Sequence, residues 1–220
     1  GMFSFAIGFY FFQKTQLKLT ALCILAALFG ILGSILSTAR GGWAALPILL
    51  IALLWIYRRH LSKTFFITLI GLFAIAIIGI AQMPNNRMSE RFAAAQYDIQ
   101  QYLERGNGST SVGARFDMWQ SVFIMVKEKP ILGWGTQGAP QKRHQLAEQG
   151  IISQYAGQFT HAHNQYLDDL SKRGIVGLAA FLAIFVIPLR RFMPGLKSDS
   201  AETKLIATLG TLHVLAVMIY

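Results

Sequence analysis

Long apolar runs separated by short polar breaks set the plan of this chain. Residues 19–36, 41–57, 64–86, 174–189 and 205–220 contain no charged side chain. A helix that crosses a bilayer needs about 20 mostly apolar residues, with a range of about 17–25. Tilt and flanking residues extend the shorter runs. The pattern predicts spans at about 19–36, 41–57, 64–83, 174–189 and 205–220, with a partial span at 2–12. Five such runs cannot all be buried inside a soluble protein of 220 residues. The expected fold is therefore all-α: a polytopic transmembrane helical bundle, a single membrane domain over 1–220, with one long helical loop at 83–173. Residues 2–12 lack the basic start and the small-residue cleavage site of a secretory signal. They read as the end of a helix that began earlier, so the chain is expected to be a fragment of a longer protein.

The 91 residues of 83–173 are too many for a structureless loop and should carry helices and function. Residues 89–104 predict an amphipathic helix with Phe92, Ala95 or Gln96, Ile99 and Leu103 on one face. Gly106-Asn107-Gly108 breaks it. Ser111 is expected to cap a second helix that runs to Lys129, with Phe116, Trp119, Phe123 and Val126 along one side. Pro130 stops that helix and Gly133-Trp134-Gly135 forms a turn. Residues 141–149 predict a short polar helix, and 161–173 a helix that leads into the next span.

Composition agrees with the hydropathy pattern: 54% of residues are hydrophobic and only 14% charged, against about 25% charged in an average soluble chain. The net charge is +10, and it is scattered between apolar runs rather than gathered on one soluble face, which argues against nucleic acid as a partner. Lys and Arg in short loops report topology. Lys14, Lys18, Arg58, Arg59, Lys63, Arg190, Arg191, Lys197 and Lys204 fall in connections on one side, which is expected to be cytoplasmic. The turn at 37–42, with Arg40 alone, and the segment 83–173 fall on the other. Membrane lipids are thus expected partners. The single cysteine, Cys23, lies in an apolar run and forms no intramolecular disulfide.

Three places in this pattern hold candidate chemistry. Arg40 stands between two spans beside Gly41 and Gly42. It reads in two ways: as an arginine that reaches to lipid headgroups, or as a clamp on a diphosphate, whose oxygens accept two parallel hydrogen bonds from a guanidinium. Arg115 lies near the start of a predicted helix, where the dipole disfavours a cation. It is either a surface arginine or part of a site for an anion bound at the helix start. His161-Ala162-His163-Asn164 is the densest cluster. A metal site would need further ligands from His144, Asp168 or Asp169. A general base is the more attractive reading of a histidine there, and a helix-start histidine that only hydrogen-bonds is the plain alternative. No nucleophile elbow, phosphate-binding loop or zinc-protease motif is present.

Taken in order, Ser37-Thr38-Ala39-Arg40-Gly41, Arg115-Phe116-Asp117-Met118-Trp119, Pro130-Ile131-Leu132-Gly133-Trp134-Gly135, His161-Ala162-His163-Asn164-Gln165-Tyr166-Leu167 and Arg173-Gly174-Ile175-Val176-Gly177-Leu178 resemble the O-antigen ligase and O-antigen polymerase superfamily of bacterial envelopes. The ligase pattern of His-Asn, nine residues, Gly, two residues and Gly is met by His163, Asn164, Gly174 and Gly177. The resemblance covers roughly residues 37–178, and family members are longer, so an amino-terminal half is expected to be missing. It implies a GT-C-like membrane glycosyltransferase of the inner membrane with a periplasmic active face. The donor would be an undecaprenyl-diphosphate-linked glycan and the acceptor lipid A–core. The reaction would be inverting and would need no metal or other cofactor. By resemblance Arg40 and Arg115 are the essential arginines and His163 the essential histidine, with His161 and Asn164 at the substrate. A polymerase that joins lipid-linked repeat units and a protein O-oligosaccharyltransferase are the related alternatives. A transporter of lipid-linked glycan is the alternative of another class, and it is disfavoured because the spans are nearly free of the midplane charges that transporters use.

Overall fold

The computed structural model describes residues 1–36, 40–58, 71 and 87–219, without the side chains at 34–36, 40–44, 87–89 and 91. The expected span at 64–83 and the turn residues 37–39 lie outside the described residues. All regular structure among the described residues is helical. In chain order the helices are α1 (Met2–Gln13), α2 (Leu17–Leu36), α3 (Arg40–Tyr57), α4 (Arg87–Arg105), α5 (Ser111–Glu128), α6 (Gly135–Glu148), α7 (Gln154–Gly157), α8 (Gln165–Phe192) and α9 (Ala201–Ile219), with a 3-10 turn at Met193–Lys197. They fall into two compact units, Gly1–Leu69 with Ala183–Tyr220, and Ile70–Leu182.

The first unit packs α1, α2, α3 and α9 around Met2, Ala6, Ala45, Leu49, Leu53, Tyr57 and Leu212. Phe9 stacks on Tyr57 with ring centroids 4.8 Å apart. At the same end, Lys14 pairs with Glu202 at 2.9 Å and Lys204 lies 5.5 Å from the Tyr57 ring centre. Two of the basic residues that the sequence assigns to one side, Lys14 and Lys204, thus lie at this end of the unit. The other face of α2 is bare, with Leu17, Leu22, Leu25, Leu28 and Phe29 exposed.

Two stretches, Gln165–Lys197 and Ala201–Ile219, are long and apolar enough to cross a membrane. Only 6% and 28% of their apolar windows are buried. A core helix of a soluble protein would be covered, whereas an apolar surface left this bare calls for a lipid or protein neighbour. Met2–Gln13 is a shorter apolar helix, and Leu17–Gly33 and Ala45–Tyr57 are the apolar parts of α2 and α3 whose side chains are described.

The second unit is built on α5, with α4, α6 and α7 packed against it. Thr110, rather than the expected Ser111, caps α5, accepting a hydrogen bond from the amide of Gly113. The expected aromatic stripe of α5 is only partly buried: Trp119 and Val126 pack against the core, whereas Phe123 is exposed. Ala114, Met118, Ser121, Val122 and Met125 face the core, where small and flexible side chains let α6 and α7 approach. Phe116, Trp119 and Phe123 line an open groove of about 640 Å³ with Tyr102 and Leu103. The expected apolar face of α4 is likewise uncovered: Phe92, Ile99 and Leu103 are exposed. Its polar residues make the contacts, because the turn after α4 leaves amides that need acceptors. Asp98 accepts from the amide of Val112 at 3.2 Å. Buried Asp117 accepts from the Tyr102 hydroxyl at 2.9 Å and from the Ser153 amide at 2.7 Å. Burial first, and the Asp117 carboxylate second, push the Tyr102 pKa up to about 12. Asp117→Ala is expected to cost about 2–3 kcal/mol by stranding both donors, read as a lowered thermal midpoint of the full-length protein. An unchanged midpoint would remove Asp117 from the frame of this unit.

Candidate functional site

The site is assembled in the second unit where α8 begins. The predicted helix 161–173 starts later, at Gln165. Residues 161–164 form a loop whose backbone is pinned on both sides of His163. The Ala162 carbonyl accepts from Trp119 Nε1 at 3.0 Å, and the Ala162 amide donates to Asp168 at 3.0 Å. Asn164 caps α8: its side-chain oxygen accepts from the amides of Tyr166 at 3.0 Å and Leu167 at 3.2 Å. Between these anchors His163 has a φ of 50°. That is the left-handed region, which few residues other than glycine enter, asparagine, aspartate and histidine more often than the rest. Strain of this kind persists only where the surroundings impose it, and it concentrates at functional sites.

His161 and His163 lie side by side, with ring centroids 4.2 Å apart. Phe159 meets both rings edge-on, at 6.4 Å and 5.3 Å. Both histidines are exposed. Partial burial, then the charges of His161, Arg115 and Arg143, lower the pKa of His163. The imidazole is therefore held in its neutral, proton-accepting form to a lower pH than an ordinary histidine. Arg115, in the second turn of α5, is half-buried and has no ion-pair partner among the described residues.

Of the predicted site residues, His161 and His163 are in contact, Asn164 follows them with its side-chain oxygen already used as a helix cap, and Arg115 is near enough for its charge to act on His163. Arg40 is the first residue of α3 and its side chain lies outside the described residues. The acids considered as metal ligands have other partners: Asp168 holds Lys172 at 2.6 Å and Asp169 is paired with Arg173. His144 lies 3.4 Å from Glu148.

Arg143 was not singled out by its sequence. It is fully buried on α6. Its Nε donates to the Ser121 hydroxyl at 3.2 Å and its Nη1 to the Phe159 carbonyl at 2.8 Å. Its Nη2 is buried without a partner among the described residues, and an unmade hydrogen bond of that kind costs about 1–3 kcal/mol. Burial lowers the pKa of Arg143, and the charge of Asp168 opposes this. The available signal was positional: Ala139, Arg143 and Leu146 follow helical spacing on one face, and that face is buried.

A second feature ties the site to the span that follows. α8 is bent at Gly174, where φ is 65° and ψ is −163°. In an unbroken helix the Ile175 amide would bond to the Ser171 carbonyl. Here Ser171 accepts from the Trp134 amide at 3.0 Å, and Ile175 donates to the Pro130 carbonyl at 2.9 Å. Val176 donates to the Ile131 carbonyl at 3.3 Å. The strap 130–134 thus replaces the helical bonds that the bend breaks. It fits only because Gly133 and Gly174 lack side chains: a Cβ on Gly133 would lie 2.6 Å from the Gly174 nitrogen. Trp134 locks the strap, donating from Nε1 to the Met125 carbonyl at 3.0 Å, with Lys129 4.1 Å from its ring centre.

The family model described as O-antigen ligase matches residues 24–182. The chain is also 38% identical over 218 residues to an uncharacterized protein of Haemophilus influenzae, covering 99% of this chain and 55% of that protein. The chain therefore spans about half the length of the curated relative it matches.

Proposed function

The chain belongs to the O-antigen ligase family, and from that premise we propose that the protein moves an undecaprenyl-diphosphate-linked O-antigen glycan onto lipid A–core at the periplasmic face of the bacterial inner membrane. The observation that supports this reading is His163 at a φ of 50° on a loop pinned by Trp119, Asp168 and Asn164, with its pKa lowered by burial and by nearby charges that include Arg115.

In the proposed reaction an acceptor hydroxyl attacks the anomeric carbon of the donor. The bond from that carbon to the diphosphate oxygen breaks as the new glycosidic bond forms, with inversion. His163 takes the hydroxyl proton, and the diphosphate leaves with the electron pair. By the family resemblance Arg115 and Arg40 are the residues that bind the departing charge, a task that guanidinium groups perform through paired hydrogen bonds. His161 and Asn164 contact the sugars. Both substrates are lipid-anchored, which suits a site on a loop that joins a bilayer-length helix within a few residues.

The test is deletion of the gene in an O-antigen-producing strain and complementation with the full-length gene. Ligation predicts that deletion leaves the core bare while lipid-linked polymer accumulates, and that complementation reverses both. A core carrying one repeat unit would instead assign the protein as the polymerase. An unchanged lipopolysaccharide would refute both.

The pH dependence follows from His163. A protonated imidazole accepts no proton, so activity is lost as pH falls through the His163 pKa, and that pKa is lowered. The acid limb of kcat/KM should therefore lie below the ordinary histidine value of about 6.5. Transfer assays across about pH 5 to 8 read this directly. An acid limb above that value would contradict the assignment.

A further inference from the structure

We propose that Arg143 is a positioning residue for the histidine loop: its buried guanidinium, held between Ser121 and the Phe159 carbonyl, fixes Phe159 against His161 and His163 and places a permanent positive charge behind them. The inference rests on the reading of His163 as the base.

Geometry carries it. Arg143 comes from α6, Ser121 from α5 and Phe159 from the segment after α7, so one side chain joins three parts of the unit at the loop. The Phe159 carbonyl receives Nη1 at 2.8 Å, and the Phe159 ring contacts both imidazoles. A full charge whose Nη2 has no partner among the described residues is a costly occupant for a core position. A leucine or methionine would fill the same helix face beside Ala139 and Leu146 without that cost, so packing alone does not account for arginine.

The charged groups around His163 come from every element packed on it: His161 from its own loop, Arg115 from α5 and Arg143 from α6. Asp168 of α8, bonded to the Ala162 amide, faces Arg143 with the opposite sign. Arg143 is the cation of this set that the protein itself immobilises, since Arg115 is free of ion pairs among the described residues and stands where a substrate anion would neutralise it. The charge of Arg143 therefore remains on His163 when the donor diphosphate is bound.

The test uses the full-length protein in detergent, without substrate, and acylation by diethyl pyrocarbonate, which modifies neutral imidazole. Site-resolved mass spectrometry reads the pH midpoint at His163. Arg143→Gln is expected to raise the midpoint and to slow modification at about pH 6 by about twofold. Arg143→Lys keeps the charge but not the fork, and should leave the midpoint near wild type. In transfer assays Arg143→Gln should lower kcat with little change in KM, and Arg143→Lys should recover part of kcat. A wild-type midpoint in Arg143→Gln, with only thermal stability lowered, overturns the proposal. If Arg143→Gln does not fold, Arg143→Lys carries the test, and wild-type kcat in that variant overturns the positioning role. Because the midpoint needs no turnover, a protein that transfers no glycan yet shows the expected shifts would refute the ligase reading and leave the Arg143 assignment standing.

Discussion

His163→Asn in the full-length protein should reduce glycan transfer by about 10²–10⁴-fold, the usual contribution of a general base, while the protein folds as well as the wild type. Most substitutions at a structural position do the opposite, lowering stability and dragging activity with it. Here the backbone argues for separation of the two. His163 sits at a φ of 50°, a conformation that asparagine tolerates better than histidine, and glycine better still. Its neighbours hold the loop without its help: the Ala162 backbone is tied to Trp119 and Asp168, and Asn164 caps α8. His163→Asn and His163→Gly should therefore melt at or above the wild-type temperature. The check is transfer rate beside thermal unfolding of the same preparations. Wild-type transfer in either variant would sink the base assignment. A fall in melting temperature matching the loss of activity would show that His163 is a packing residue.

Gly174→Ala should destabilise the full-length protein by about 3 kcal/mol or more. Gly174 combines a φ of 65° with a ψ of −163°, a region essentially reserved for glycine. A methyl group there would also strike the Ile131 carbonyl, and that carbonyl accepts the Val176 amide. The strap 130–134 would have to move away, leaving the amides of Ile175 and Val176 without acceptors. Gly138→Ala is the control. Its methyl would come no nearer than 3.7 Å to Trp134 Cβ, an ordinary contact inside helix α6, so the effect should be clearly smaller. Thermal unfolding and hydrogen exchange at the Ile175 and Val176 amides measure both. Equal effects in the two variants would show that the strap does not depend on the bend.

The bend also explains why the glycines of two distant motifs belong together. Pro130-Ile131-Leu132-Gly133-Trp134-Gly135 and Arg173-Gly174-Ile175-Val176-Gly177 are two sides of one contact. Their order along the chain pointed to a family, yet the contact itself could not be read from either segment, since each glycine is required by the backbone of the other.

The apolar runs and turn residues determined most of the helical plan. Hydropathy at 174–189 and 205–220 located two helices of bilayer length among the described residues, and the glycines and Pro130 placed the breaks around α5. Those signals are local: they depend on the polarity of consecutive side chains and on the backbone preferences of glycine and proline. The histidine cluster and Arg115 were legible for a similar reason, because they stand out by type against their neighbours.

What the tertiary structure decided is everything that depends on which neighbour arrives. The sequence placed Phe116, Trp119 and Phe123 along one side of α5 and an apolar face on α4, but the buried core formed from Ala114, Met118, Val122 and Met125, with Trp119 at its edge, where α6 and α7 pack against α5. The polarity of Arg143 hid its burial, since a cation next to Lys142 in a polar helix reads as solvated until Ser121 and the Phe159 carbonyl are seen to receive it. The left-handed turn at His163 could not be read from the sequence: histidine enters that conformation more often than most residues, but still only in a small minority of cases. It is imposed by hydrogen bonds from Trp119 and to Asp168, the first of them reaching across more than forty residues of chain, and a contact at that separation is invisible to any pattern of adjacent residues.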